Sequence, residues 1–166
     1  MDRILGFGGV PFSVRELKAA DAGSVALFQR AFGSAPPAVP RHFVAVLDSS
    51  ESLVAGYLHF TVFEPDVYLC GGLCVDARLY RRLSARQRSR VASEGSLARW
   101  LSREAIAALG RKKAVFAYTG DDRSRRDALA LGFVPIDSPF LLVQWHDLPE
   151  TSRAGLVKRV AAQGPF

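Results

Sequence analysis

Three apolar segments follow one another closely in the first half of the chain, and they limit its fold more than any other feature. They run from Phe43 to Leu47, from Leu53 to Phe63 and from Val67 to Val75. The polar stretch Asp48-Ser49-Ser50-Glu51-Ser52 separates the first two, and Glu64-Pro65-Asp66 separates the last two. Apolar runs between such turn residues are typical of β-strands. Because connections this short join antiparallel neighbours, the sequence predicts a three-strand antiparallel meander.

Helical segments flank the next predicted strand, Ala114 to Tyr118. The first follows an arginine-rich stretch and ends at Leu109 and Gly110, while the second opens at Asp121 and is closed by Gly132. A strand that returns through a helix can lie parallel to the preceding strand, by a right-handed crossover. We therefore predict a mixed sheet with helices on both faces.

The other predicted elements extend this sheet at both ends. They are a strand from Phe12 to Leu17, a helix capped by Asp21 and stopped by Gly33, strands at Phe133 to Ile136 and Phe140 to Trp145, and a weakly amphipathic helix around Leu156 and Val160. The predicted fold class is α+β, with a six- to seven-stranded, mixed and mostly antiparallel sheet flanked by helices. The 166 residues show no repeat or linker, so residues 1–166 are predicted to form a single domain.

The start of the chain is rich in glycine and is predicted to be a tail. Gly6-Phe7-Gly8-Gly9 follows no predicted strand and precedes no helix, so it is not expected to be a dinucleotide-binding loop. The first residues also lack the apolar core of a signal peptide. No apolar run approaches the roughly 20 residues of a membrane-spanning helix. We therefore expect a cytoplasmic protein without a membrane partner.

Cys70 and Cys74 lie four residues apart in one predicted strand. An extended chain separates them too far for a comfortable disulfide, so they are expected to be buried free thiols.

The chain carries a net charge of +6, and its basic residues are unevenly placed. Six arginines lie within thirteen residues: Arg78, Arg81, Arg82, Arg86, Arg88 and Arg90. Two smaller basic groups follow at 111–113 and 123–126. Such clusters indicate a polyanionic partner, which is nucleic acid, a membrane surface or a phosphorylated cofactor, or else a solvated basic face.

Four short motifs occur in the order of the predicted elements. They are Phe43-Val44-Ala45-Val46, Val54-Ala55-Gly56-Tyr57, Leu73-Cys74-Val75-Asp76 and Ala130-Leu131-Gly132-Phe133. Together with the element order, they resemble the GNAT superfamily of N-acetyltransferases over most of the chain, from Phe12 to Trp145. The resemblance implies an acyl-CoA N-acyltransferase fold, acetyl-CoA as the donor, and a primary amine of a small molecule or peptide as the acceptor.

The family's pyrophosphate loop, Gln/Arg-x-x-Gly-x-Gly/Ala, stands where the N–H groups and dipole of the central helix favour a phosphate. The best match here is Arg90-Val91-Ala92-Ser93-Glu94-Gly95, followed by Ser96. The match is degenerate: Ser93 replaces the first glycine, and Glu94 adds a negative charge that an arginine must screen. A second register, Arg81-Arg82-Leu83-Ser84, would start the helix earlier, with Ser84 and Gln87 as a capping box.

The resemblance also implies which residues bind the cofactor. These are Leu73, Cys74 and Val75 for the pantetheine arm, and Arg90, Val91, Ser93, Gly95 and Ser96 for the diphosphate. Asp121 is either a further cofactor contact or a helix cap. No metal is expected.

The catalytic residues do not follow the family's usual pattern. The tyrosine that often protonates the departing thiolate, four residues before the glycine of Leu-Gly-Phe, is replaced by Ala128. Tyr118, which closes a predicted strand, is the substitute candidate for this acid. His59 is either the general base or a structural histidine, and Glu64 would act as a base through a water molecule.

These observations leave three functions open. An N-acetyltransferase is favoured, and a catalytically inactive GNAT-like scaffold that binds acyl-CoA or a protein partner is the alternative. A basic nucleic-acid-binding module is least favoured, because the arginine clusters contain no interleaved aromatic residue beyond Tyr80. A homodimer formed through the last two strands and the C-terminal helix also stays open.

Overall fold

The computed structural model describes residues 3–5, 11–48, 53–136 and 140–166. The strands are β1 (Arg3–Leu5), β2 (Phe12–Leu17), β3 (Arg41–Leu47), β4 (Leu53–Glu64), β5 (Val67–Val75), β6 (Ala114–Tyr118), β7 (Val134–Pro135) and β8 (Leu141–Trp145). The helices are α1 (Ala22–Phe32), α2 (Ala77–Arg82), α3 (Ala85–Ser93), α4 (Leu97–Ala108), α5 (Asp122–Ala130) and α6 (Glu150–Ala161). Every strand and helix predicted from the sequence is present.

Hydrogen-bonded strands follow the order β1-β2-β3-β4-β5-β6-β8-β7. β5 and β6 pair in parallel, from Val67 opposite Ala114 to Cys70 opposite Ala117. The pairs of β2 with β3 and of β6 with β8 are antiparallel. The predicted α+β class, with a mixed and mostly antiparallel sheet, is confirmed.

The prediction of a tail before Phe12 is wrong at Arg3–Leu5. These residues form β1, which pairs antiparallel with β2 and places Arg3 opposite Glu16. Three residues are too few for a strand alternation to be recognised in a sequence. Residues 6–9, with their glycines, lie outside the described residues, as do 49–52 and 137–139 in two of the predicted turns.

The chain divides into two compact units. Unit 1 comprises residues 1–59 and 72–108, and unit 2 comprises residues 60–71 and 109–166. The single domain over residues 1–166 therefore stays a prediction.

Unit 1 has a core on which helix α1 packs. The side chain of Asp21 accepts a hydrogen bond from the N–H of Ser24 at 2.8 Å, and Gly33 ends the helix in the left-handed conformation, as predicted. The core cluster consists of Leu17, Leu27, Phe28, Val44, Val46 and Tyr57. Helix α4 in turn buries Trp100 and Leu101, with the Trp100 ring centroid 6.3 Å from that of Phe12. This packing fixes the position of the first turn of α4.

In unit 2, the Leu-Gly-Phe motif ends helix α5. Gly132 has a φ of 85°, and its N–H donates to the carbonyl of Leu129 at 3.0 Å. The N–H of Phe133 donates to the carbonyl of Ala128 at 3.1 Å, which completes a Schellman motif at the end of α5. The pattern thus ends a helix whatever the protein does. The main core of the unit is formed by Val67, Leu69, Ala114, Phe116, Leu141, Val143, Leu156 and Val160.

Candidate functional site

The arginine-rich stretch forms two short helices before the central helix α4. Helix α3 begins at a capping box, in which the N–H of Ser84 donates to Gln87 Oε1 at 2.9 Å and the N–H of Gln87 donates to Ser84 Oγ at 3.3 Å. Helix α4 begins only at Leu97. Both registers considered from the sequence therefore mark a real helix start, and the central helix follows the one that ends at Gly95.

Gly95 separates α3 from α4 and has a φ of 88°, which disfavours any other residue. It is exposed, and its N–H donates to the carbonyl of Ala92 at 2.9 Å. A Cβ at this position would overlap the guanidinium of Arg99, which lies against the glycine. The sequence pattern did not single out Arg99. The structure thus places a cation beside an open turn of backbone.

The first turn of α4 follows this glycine directly. The side chain of Ser96 caps the helix by accepting a hydrogen bond from the N–H of Arg99 at 2.9 Å. The geometry of an α-helix leaves the N–H groups of Leu97 and Ala98 without an intrahelical acceptor. No acidic residue lies in the first turn, so the positive end of the helix dipole is not neutralised there. These features suit an anionic ligand.

Glu94 is screened by Arg103. The carboxylate of Glu94 lies 2.5 Å from a guanidinium nitrogen of Arg103, one and a half turns into α4. The hydrogen bond that Arg103 donates to Glu94 is the largest contribution that raises the pKa of Arg103. The negative charge that weakened the loop match is therefore engaged in an ion pair, which reduces its repulsion of a bound anion.

The other predicted loop residues have separate environments. Ser93 donates its hydroxyl to the carbonyl of Arg90 at 2.7 Å, so the hydroxyl is bonded within α3. Val91 is buried and could offer only its backbone to a ligand. The side chain of Arg90 is exposed. Of the predicted residues, Gly95 and Ser96 form the turn itself.

The end of β5 carries the predicted pantetheine residues. Leu73, Cys74 and Val75 are half-buried, and the parallel register with β6 ends before them, at Cys70. Cys70 and Cys74 are both free and half-buried, in agreement with the prediction of unpaired thiols but not with full burial. Burial raises the pKa of the Cys74 thiol to about 12, against the opposing effect of Arg30. The Cys74 side chain is therefore held in its neutral thiol form.

Asp76, directly after β5, holds this strand end in place. Its side chain caps α2 through the N–H of Arg78 at 2.9 Å and forms an ion pair with Arg30 at 2.8 Å. Burial alone would raise the pKa of Asp76, but the N–H groups of α2 and the two guanidinium groups outweigh it and lower the pKa. Asp76 is thus a charged structural cap.

A buried chain of polar side chains crosses the sheet of unit 1. His42 Nδ1 lies 2.7 Å from the hydroxyl of Tyr57, and that hydroxyl lies 3.3 Å from His59 Nδ1. The three side chains are 2%, 0% and 6% exposed, respectively. Burial, and then the neighbouring His42, lower the pKa of His59 to about 4. The predicted base is therefore a neutral histidine in the core. This row of three side chains could not be recognised in the sequence, because His42 joins it through strand pairing.

This burial predicts a stability that depends on pH. The pKa of His59 is about 4 in the folded protein and 6.5 without the fold, so the unfolded chain binds more protons between these values. The free energy of unfolding is expected to fall by about 3 kcal/mol as the pH drops from 7 to 4. Urea unfolding at several pH values measures the slope, and the variant His59→Gln should flatten it. An unchanged slope in the variant would contradict the assignment.

A cavity of about 420 Å³ lies next to this row of polar side chains, in unit 1. His42 contributes to its wall together with Lys18, Val25, Pro36 and Val39. The proline-rich connection at 34–40, which the sequence did not place, thus lines a space of the size of a small-molecule site.

The remaining predicted residues belong to unit 2, and each has structural contacts there. Tyr118 is half-buried, stacks on Phe140 with ring centroids 6.2 Å apart and meets Phe166 edge-on. Glu64 forms an ion pair with Arg159 at 2.9 Å. Asp121 caps α5, and its pKa is lowered by the hydroxyl of Ser124 and by N–H donors. The cap is thus present, whereas a cofactor contact of Asp121 stays a proposal.

The described part of the chain shows neither a membrane span nor a metal site. No helix there is both long and apolar enough to cross a membrane. Nor do three or more His, Cys, Asp or Glu side chains gather there into a group that could hold a metal ion.

Comparison with known proteins identifies the fold. No family model and no curated protein match the sequence. The ribosomal-protein-S5-alanine acetyltransferase of Vibrio fischeri overlaps with a TM-score of 0.56 at 16% identity, over 88% of this chain and 98% of that one. A GNAT-family acetyltransferase of Staphylococcus aureus Mu50 gives a TM-score of 0.48 at 10% identity, over 80% and 98% of the two chains. The first overlap shows the fold, so the predicted acyl-CoA N-acyltransferase fold is confirmed.

Proposed function

We propose that this chain, which has the fold of the GNAT acetyltransferases, transfers the acetyl group of acetyl-CoA to a primary amine of a small molecule or peptide. The observation that carries the proposal is the helix break at Gly95. There a glycine with positive φ, two N–H groups without intrahelical acceptors and the guanidinium of Arg99 meet at the start of the central helix.

The residues of this turn fit the diphosphate of acetyl-CoA. Gly95 lets a phosphate approach the backbone, and Leu97 and Ala98 would donate their N–H groups. Arg99 and the exposed Arg90 supply positive charge, and Arg103 neutralises Glu94. In the same proposal, the backbone of Leu73, Cys74 and Val75 binds the pantetheine arm, and Asp121 is a further contact.

The chemistry needs two proton transfers besides correct positioning. The amine nitrogen forms a bond to the acetyl carbonyl carbon while the carbon–sulfur bond breaks. The amine proton passes to a water molecule held by Glu64, because the predicted alternative base, His59, is buried in the core. Tyr118 gives a proton to the departing thiolate. We assign Tyr118 this role because Ala128 offers no acid at the family's usual position.

Thermal unfolding with acetyl-CoA, free CoA and pantetheine tests the proposal. Acetyl-CoA and CoA at a hundred times Kd should stabilise the fold by about 2.7 kcal/mol, since they bind only the native state. Pantetheine, which lacks the diphosphate, should shift the melting temperature much less. Turnover with a panel of amines follows, and Tyr118→Phe should lower kcat while leaving acetyl-CoA binding intact. A protein that is not stabilised by any CoA species would contradict the proposal.

The second candidate function is a GNAT-shaped scaffold that binds acyl-CoA without turnover. It is favoured by the burial of His59, by the ion pair between Glu64 and Arg159, and by Ala128, which is 8% exposed. Stabilisation by CoA without acetylation of any amine in the panel would support it.

A further inference from the structure

Helices α2 and α3 carry the whole net charge of the protein. The segment 77–93, here called the basic segment, contains six arginines and no Asp or Glu. The chain has 22 Lys and Arg residues, of which 16 lie outside this segment. This number equals the 16 Asp and Glu residues of the whole chain. The rest of the chain is therefore electrically balanced, and the net charge of +6 lies on seventeen residues.

Three apolar anchors hold the basic segment against the fold. Leu79, Leu83 and Val91 are 8%, 4% and 1% exposed. All six arginines of the segment are exposed. The two helices are thus fixed by a few buried side chains, and most of their remaining surface is basic.

Half of these arginines have no side-chain partner among the described residues. The guanidinium groups of Arg81, Arg82 and Arg86 make no hydrogen bond or ion pair with any described residue. Arg78 approaches Asp76 at 3.7 Å, and Arg88 donates to the carbonyls of Arg81 and Leu83. Like charges three or four residues apart repel each other on a helix. A bound anion would relieve this repulsion.

We propose that the basic segment binds the phosphate backbone of double-stranded nucleic acid. A duplex carries one negative charge per roughly 1.7 Å of its axis, a density that attracts a cluster of six arginines. An acidic protein would have to gather many carboxylates on one surface patch to do the same. The guanidinium fork suits phosphate oxygens, and Ser84, Gln87 and Ser89 between the arginines add neutral donors that commonly contact phosphates.

The lack of aromatic residues selects the kind of nucleic acid. Single strands are bound largely by stacking their bases on aromatic side chains, and the segment contains only Tyr80, which is half-buried. A duplex exposes its phosphates while its bases stay stacked, so positively charged side chains alone are enough to bind it. The binding is expected to be independent of base sequence.

A charge-removing variant tests the proposal without touching the residues proposed for acetyl-CoA. In Arg81→Gln/Arg82→Gln/Arg86→Gln, binding of a fluorescent duplex of about 20 base pairs, as RNA or DNA, should weaken at least tenfold at moderate salt. The slope of log K against log salt should become smaller by about 2 to 3, because each lost phosphate contact contributes roughly 0.9. Because these side chains are exposed and have no partner among the described residues, the variant should melt at the same temperature as the unaltered protein.

The matched control is Arg123→Gln/Arg126→Gln/Lys158→Gln, which removes the same charge from exposed positions outside the segment. It should bind the duplex almost as well as the unaltered protein. Equal losses in both variants would reduce the effect to net charge and overturn the proposal. So would equally tight binding of polyglutamate or of anionic vesicles, or an equal loss of CoA affinity in Arg81→Gln/Arg82→Gln/Arg86→Gln, which would identify a protein, membrane or cofactor surface. The outcome is independent of acetylation, since a protein without turnover can still bind a duplex.

Discussion

Replacing Gly72 by alanine is expected to lower the free energy of unfolding by about 2 to 5 kcal/mol. Gly72 lies within β5 with a φ of 63°, a conformation that costs other residues about 1 to 2 kcal/mol. An added Cβ would also lie 2.5 Å from Phe28 Cε2 and 2.7 Å from His59 Cε1. Both neighbours are buried and cannot move aside without disturbing the core. Urea unfolding measures the loss.

The matched control is Gly33→Ala at the end of α1. Gly33 has a similar φ of 74°, but no atom lies within 4 Å of an added Cβ. This variant should lose only the conformational part, about 1 to 2 kcal/mol. The difference between the two variants isolates the steric part at Gly72. Equal losses would mean that the contacts with Phe28 and His59 yield easily, against the close packing described for unit 1.

Replacing Gly95 by aspartate should weaken acetyl-CoA binding tenfold or more relative to replacement by asparagine. The two side chains have nearly the same shape, and both tolerate positive φ better than other residues do. They differ by one negative charge at the proposed diphosphate position. Unit charges about 4 Å apart near a protein surface interact by about 4 kcal/mol before salt screening. Isothermal titration of both variants with acetyl-CoA measures the difference.

The effect on stability should have the opposite sign, which makes this pair informative. Without acetyl-CoA, an aspartate before the first turn of α4 interacts favourably with the helix dipole, by about 0.3 to 1 kcal/mol. Gly95→Asp should therefore unfold at the same or a higher temperature than Gly95→Asn. If both variants bind acetyl-CoA equally, the diphosphate is not at this turn and the proposed cofactor site is wrong.

The sequence determined the features that depend on neighbours a few residues apart. Asp21 caps α1, Ser84 and Gln87 form a capping box, and Gly132 ends α5, each as its local pattern predicts. Such caps join groups within one turn, so composition and spacing are enough to find them. The order of strands and helices follows in the same way, because short turns enforce antiparallel pairs and a helix allows a parallel one.

Only the tertiary structure decided which distant side chains meet. His42 contacts Tyr57 because β3 and β4 bring them together, although fifteen residues separate them. The neutral His59 in the core, the narrow space at Gly72 and the unpartnered arginines depend equally on how elements pack. Local propensity does not contain this information, because strand register and helix packing bring residues together over distances at which sequence spacing carries no signal. The sequence could therefore predict the fold and the turn at Gly95, whereas the surroundings of each candidate residue had to be observed.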